Sequence, residues 1–308
     1  MRLDPDVPPP ENFPPDLPAG PQTFVHRLGS WDVATRARVV GILNLTPDSF
    51  FDGGRYATAG AAIARAEAMA AEGADAIDVG GQSTRPGSAP VGPEEEWRRL
   101  KPVLGSIASR LKLPVSIDTY HVEVARRALD EGASIVNDVS GLGIDPALAE
   151  EAARSKAGLI LMHSRGAPHG LHASYEYDDV AEAVRAFLED RMRLAESRGV
   201  ARERIALDPG IGFSKRPEQS LDALRGIPRL RSLGRPVYVG VSRKSFLGAV
   251  TGEPAEGRLA AGVGATVASY ALGARIFRAH DVRETAAALR LAEGLLFPTL
   301  ALEPVARP

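Results

Sequence analysis

The sequence predicts an α/β protein: a closed (β/α)8 TIM barrel in a single domain, preceded by a Pro-rich N-terminal extension. Three observations carry the prediction. Eight short, apolar, β-branched runs each lead through a polar or glycine-rich turn into an amphipathic Ala, Glu, Arg and Leu segment. Runs apolar on both faces belong in a parallel sheet covered by helices, and eight such units in about 250 residues match a barrel. The rival is an open doubly wound sheet, which usually carries a Gly-rich dinucleotide loop after its first strand; none follows Leu43.

Residues 1–22 are set apart as an extended tail, since they hold eight of the 24 prolines and little apolar periodicity. The barrel domain is assigned to 23–300. Its first strand, RVVGIL (38–43), precedes a helical pattern over 58–72, and DAIDVG (75–80) precedes one over 93–110. PVSID (114–118) is followed by 121–131, SIVND (134–138) by 146–155, and GLILMH (158–163) by 177–198. RIALD (204–208) leads to 217–231, PVYVG (236–240) to 254–272, and RIFRA (275–279) to 281–295. Gly73, Gly132, Gly199 and Gly273 stand where four of these helices end, the left-handed stop that glycine adopts without a Cβ penalty.

Composition narrows the function. With 44% hydrophobic and 25% charged residues the chain buries a full core, and a net charge of -2 supplies no field for a row of phosphates, so nucleic acid is not an expected partner. The absence of Cys excludes disulfides, thiolate metal sites and a Cys nucleophile, and fits a cytoplasmic location. No stretch reaches the roughly 18 apolar residues of a membrane span, and no secretory pattern opens the chain. Residues 259–274, uncharged and rich in Gly and Ala, read as a closely packed buried helix. Only five of 37 basic residues are Lys, so a Lys inside a motif points to a need for a compact ammonium.

In such a barrel every βα loop opens on one face, so residues just past each strand converge. Here they are Asn44, then Ser83, Thr84 and Arg85, then Asp118, Asn137 with Asp138, His163, Asp208, Ser242 with Arg243 and Lys244, and finally Arg278 and His280. Arg85, Lys244, Arg278 and His280 are donors suited to phosphate oxygens, and Mg2+ held by side-chain oxygens and the substrate's phosphates would complete a diphosphate site. Asp118, Asn137 and Asp208 suit the edge of a flat polar heterocycle, or else ion pairs with the same cations. No nucleophile with a partnered base stands out, and His163, His169 and His172 lack the spacing of a metal site. The pattern points to catalysis by positioning and charge stabilisation.

GILNLTPDSFFDGG, DVGGQSTRPGS, SIDTY, NDVSG, LMHSRG, LDPGIGFSK, VSRKSFL and RAHDVRET, in this order and over residues 38–295, resemble dihydropteroate synthase. The resemblance implies a (β/α)8 enzyme of folate biosynthesis, a transferase that condenses 6-hydroxymethyl-7,8-dihydropterin diphosphate with 4-aminobenzoate. It implies that Asp118, Asn137, Asp208 and Lys244 hold the pterin, and that Arg85, Arg278 and His280 hold the diphosphate. Asn44 would help place Mg2+, while Phe50 and Asp52 belong to a loop that closes on substrate and Phe50 keeps water from a cationic intermediate. Thr84, Pro86, Phe213 and Ser242 would line the aminobenzoate pocket. Further implications are a homodimer and inhibition by sulfonamides. A methyltetrahydrofolate-corrinoid methyltransferase, similar in barrel and pterin pocket, and a pterin-binding paralogue without turnover are the alternatives. The chain departs from the family pattern at Gln82, where Glu is common, at Phe51, where Ser is usual, and at Ser214, where Gly is usual.

Overall fold

The computed structural model describes residues 23–45, 55–82, 90–165 and 175–297. A hairpin comes first, β1 (Thr23–His26) against β2 (Gly29–Asp32). Eight parallel strands follow at the predicted places: β3 (Arg38–Asn44), β4 (Ala76–Gly80), β5 (Val115–Asp118), β6 (Ile135–Asp138), β7 (Gly158–Met162), β8 (Ile205–Asp208), β9 (Tyr238–Val239) and β10 (Ile276–Ala279). Their order is β8-β7-β6-β5-β4-β3-β10-β9. The ring closes where Leu207 of β8 bridges Val237 beside β9 and its N–H donates to the carbonyl of Pro236 at 2.9 Å.

Alternation along each strand sorts side chains into two cores. Outward residues such as Ile77, Val79, Ile117, Leu159, Leu207 and Phe277 pack beneath the helices. Inward ones, including Val40, Ala76, Ile135, Ile160, Ala206, Tyr238 and Ile276, fill the barrel. The hairpin, which the pattern over residues 23–32 had not disclosed as strands, adds Phe24 and Trp31 to that inner cluster and plugs the mouth opposite the βα loops.

Helices α1 (Arg55–Ala71), α2 (Pro93–Arg110), α3 (Val122–Asp130), α4 (Ala147–Arg154) and α5 (Val180–Ser197) lie close to the expected ranges, as does the last, α10 (Val282–Leu296). The four expected stops are left-handed, Gly73, Gly132, Gly199 and Gly273 having φ of 103, 104, 92 and 109°. Two expectations are corrected. The pattern over 217–231 is two helices, α6 (Pro217–Arg225) and α7 (Ile227–Arg231), split at Gly226 just before Pro228. That over 254–272 shortens to α9 (Leu259–Ala271), and a separate helix that the pattern does not mark, α8 (Ser245–Thr251), precedes it and is stopped by left-handed Gly252. Nor is α9 buried all round: Leu259 is 41% exposed, and Ala260, Gly264 and Ala268 face outward with it. Among the described residues no helix is long and apolar enough to cross a membrane.

Candidate active site

Above the apolar layers the interior turns polar. Asp118, Asn137, Asp208 and Arg278 stand at the C-terminal ends of β5, β6, β8 and β10, and register brings them level, Asp118 opposite Asn137 and Asp208 opposite Met162. With Lys244, Phe213, Val139, Met162, Ile211 and Gly240 they line one cleft, of about 360 Å3 when its open mouth is counted.

Charges inside it are closely matched. Arg278 donates from Nε to Asp78 Oδ2 at 2.6 Å and from Nη2 to Asp118 Oδ2 at 2.8 Å. Burial disfavours its charge, yet Asp78 and Asp118 hold its pKa above the ordinary value. Burial pushes Asp118 up to about 7 against the pull of Arg278, with Asp78 adding to the rise. Asp208 is raised to about 6 by burial, although the Gly210 N–H donates to its Oδ1 at 2.7 Å. Lys244 is lowered to about 8 by burial and by Arg278, and its Nζ lies 3.8 Å from the centre of the Phe213 ring, a cation–π contact.

The turn after β8 is built to hold Ile211 and Phe213 against the cleft. Gly210 has a φ of +66°, and a Cβ there would lie 1.9 Å from the carbonyl oxygen of His163, so only glycine passes. Lys215, 8% exposed, reaches back beneath the turn, donating to the carbonyls of Gly210 at 3.1 Å and Phe213 at 3.2 Å. Its Nζ stands 2.8 Å from His163 Nδ1, and burial keeps that imidazole neutral and Lys215 itself down at about 7. Ser214 is left-handed at φ 51° and ties this turn to the one after β7: its hydroxyl donates to the Arg165 carbonyl at 3.0 Å and accepts from the Arg165 N–H at 2.9 Å.

Of the residues singled out by sequence, Asp118, Asn137, Asp208, Lys244, Phe213 and Arg278 share the cleft. Ser242 and His280 meet beside it, the Ser242 hydroxyl accepting from the His280 N–H at 3.2 Å and lying 3.1 Å from its Nδ1. Asn44 ends β3 next to Gly80, where a Cβ would lie 3.6 Å from Asn44 Oδ1 and 3.7 Å from Asp118 Oδ2, so the amide oxygen flanks the same mouth. Phe50, Asp52, Thr84, Arg85 and Pro86 lie outside the described residues, as do Ser83, His169 and His172. Three strand-end residues face other tasks. Asp138 caps its own loop, accepting from the N–H groups of Ser140 and Leu142. His163 backs Lys215, and Arg243 pairs with Asp281 at the surface. Sequence reasoning missed Asp78, whose signal was an acid in the middle of an otherwise apolar strand, in phase with Ala76 and Gly80.

Among the described residues no group of three His, Asp or Glu side chains could hold a metal. An amide oxygen such as that of Asn44 fits a hard cation that keeps its water and takes its remaining ligands from phosphate.

The family model described as pterin binding enzyme matches residues 40–280. A dihydropteroate synthase of Synechocystis sp. is 44% identical over 284 residues, covering 92% of this chain and 96% of its own. The dihydropteroate synthase of Thermus thermophilus in complex with 4-aminobenzoate is similar at 41% identity and a TM-score of 0.80, over 89% of this chain and 100% of that one. That of Yersinia pestis, in a sulfonamide drug complex, is similar at 35% identity and a TM-score of 0.83, over 89% and 99%.

Proposed function

The chain belongs to the pterin-binding enzymes and, within them, to the dihydropteroate synthases, and from that premise we infer its reaction: 6-hydroxymethyl-7,8-dihydropterin diphosphate and 4-aminobenzoate give 7,8-dihydropteroate and diphosphate. The observation that carries the reading is the single cleft to which Asp118, Asn137, Asp208 and Lys244, drawn from four separate strand ends and turns, all contribute.

The chemistry asks for positioning more than for a nucleophile. The C–O bond to the diphosphate breaks, the electron-rich dihydropterin ring spreads the positive charge left on the methylene, and the arylamine nitrogen forms the C–N bond and sheds a proton. We assign ring binding to Asp118 and Asp208 as acceptors, to Asn137 and to Lys244, whose low-lying pKa keeps a donor without a strongly held charge. Arg278 and His280 are assigned to the diphosphate, a role for which Arg278 must exchange Asp118 for phosphate oxygens. Phe213 and Ser242 are assigned to the aminobenzoate. The roles of Phe50, Asp52, Thr84, Arg85 and Pro86 rest on the resemblance of their motifs alone. Mg2+ arriving with the diphosphate, with Asn44 as a protein ligand, would neutralise the leaving group.

We also propose a homodimer through the outer faces of α9 and α10, where Leu259, Leu291 and Leu295 are 41, 67 and 72% exposed, a cytoplasmic location, and a domain division of tail 1–22 and barrel 23–300. The test of the reaction is diphosphate release that depends on added 4-aminobenzoate. Release at the same rate without it, or none with it, overturns the reading; sulfonamides should compete with the aminobenzoate, as the Yersinia pestis complex suggests.

A further inference from the structure

Behind the ring-binding residues lies an acid with no place in the scheme so far. Asp78 is wholly buried in the middle of β4, outside the set of residues that line the cleft. A carboxylate in such a place is costly unless its neighbours need it. Its Oδ2 accepts twice, from Arg278 Nε at 2.6 Å and from Asn137 Nδ2 at 3.3 Å, while Oδ1 is sealed with no hydrogen-bond partner. A carboxylate kept for stability would have both oxygens satisfied; this one commits a single oxygen to two residues of the substrate cleft.

Two consequences follow from that oxygen. An amide has a donor branch and an acceptor branch. With the NH2 of Asn137 drawn back to Asp78, the carbonyl branch is the one left for the cleft, so this wall offers an acceptor and selects a ring N–H over a ring lone pair. Arg278, for its part, is held by Nε whatever becomes of its Nη2 contact with Asp118. A substrate can therefore take Asp118 from the guanidinium without releasing the side chain from the cleft.

We propose that Asp78 is a positioning residue for the pterin half of the site, orienting Asn137 as an acceptor and anchoring Arg278 while Asp118 changes partners. The proposal rests on the reaction assigned above. It is separable from it, because the wild-type enzyme reports on the reaction and the variants on Asp78.

The experiment measures binding of 6-hydroxymethyl-7,8-dihydropterin diphosphate with Mg2+ by calorimetry, together with steady-state kinetics, on the full chain and on Asp78→Asn, Asn137→Asp and the double variant. Asn137→Asp sets two carboxylates face to face and should weaken binding at least 100-fold. The double variant restores a donor opposite an acceptor with the roles reversed, still shows the cleft an acceptor, and should recover at least tenfold of that loss. Asp78→Asn alone should raise KM for the pterin diphosphate at least tenfold while KM for 4-aminobenzoate stays within threefold, a split that a general loss of fold does not produce. A double variant no better than Asn137→Asp, or wild-type-like binding by Asp78→Asn, overturns the proposal. Absence of pterin binding by the wild type overturns the functional reading itself, and this proposal with it.

Discussion

Ser214 holds a left-handed backbone conformation of the kind that favours glycine, and the structure supplies the sum that decides what glycine would do there. Its φ of 51° costs a residue with a Cβ about 1–2 kcal/mol. Against that stand two hydrogen bonds through a fully buried hydroxyl, one given to the Arg165 carbonyl and one received from the Arg165 N–H, together contributing about 2 kcal/mol. The bond from the Tyr177 hydroxyl to the Ser214 carbonyl belongs to the backbone and survives any substitution. Ser214→Gly loses the two bonds and relieves the strain, but gives the unfolded chain about 0.5–1 kcal/mol of extra freedom, for a net loss of about 1 kcal/mol. Ser214→Ala keeps the strain and strands both Arg165 groups, for a loss of about 2–3 kcal/mol. Thermal unfolding followed by far-UV circular dichroism should rank wild type above Gly and Gly above Ala, with drops of about 2 and 5 °C at about 2 °C per kcal/mol. A Gly variant more stable than wild type would mean that strain outweighs the bonds. An Ala variant equal to wild type would mean that the bonds between the two turns contribute nothing.

Lys215→Met removes the donor that both the Gly210 and Phe213 carbonyls use, at a cost of about 1–3 kcal/mol for a stranded buried acceptor. It should lower the melting temperature and cut kcat/KM for 4-aminobenzoate more than tenfold; unchanged kinetics would show that Phe213 needs no such support. Asp118, raised to about 7 by burial, binds its proton more tightly folded than unfolded, so its penalty on stability is present above pH 7 and fades as pH falls through that value toward 3.8. Asp118→Asn should accordingly compare better with wild type at pH 8 than at pH 5.5 in parallel melts, while wild-type affinity for the pterin weakens over the same fall because the acceptor is protonated. Equal differences at both pH values would place the Asp118 pKa outside this window. For the dimer, Leu291→Arg places a charge on the exposed face of α10 and should yield a monomer by light scattering; an unchanged mass would move the interface elsewhere.

How much of this could be read in the chain follows from where each signal lies. The barrel strands were legible because burial on both faces leaves a continuous apolar run, and the four helix stops because a left-handed residue there favours Gly. Helix α8 was not, since its seven residues, SFLGAVT, are too few to show a helical period and include Gly, Val and Thr. The β1–β2 hairpin escaped because its strands are four residues each and only Phe24 and Trp31 betray the inward face. In the site, residues at strand ends stood out by position, whereas Asp138 and His163 share that position and do other work. One residue on, an inward side chain becomes a loop cap, and a sequence window does not resolve that difference.

Asp78 marks the point at which position alone stops being informative, and its neighbours explain why the cleft needs it. Three carboxylates, Asp78, Asp118 and Asp208, face two cations, Lys244 and Arg278. Burial raises Asp118 and Asp208 toward neutrality and lowers Lys244 toward it, so the cleft approaches a state in which protons move at little cost. A ring bearing several N–H donors is favoured by such a site, because each donor it brings replaces a proton that the acids would otherwise hold. An anion is not favoured there, so the proposed reading sets the diphosphate toward the rim, where Ser242 and His280 meet. The proposed division of labour between ring and leaving group thus follows from which strand ends carry acids and which turns carry donors, with Arg278, kept charged by the two acids it bonds, as the group common to both.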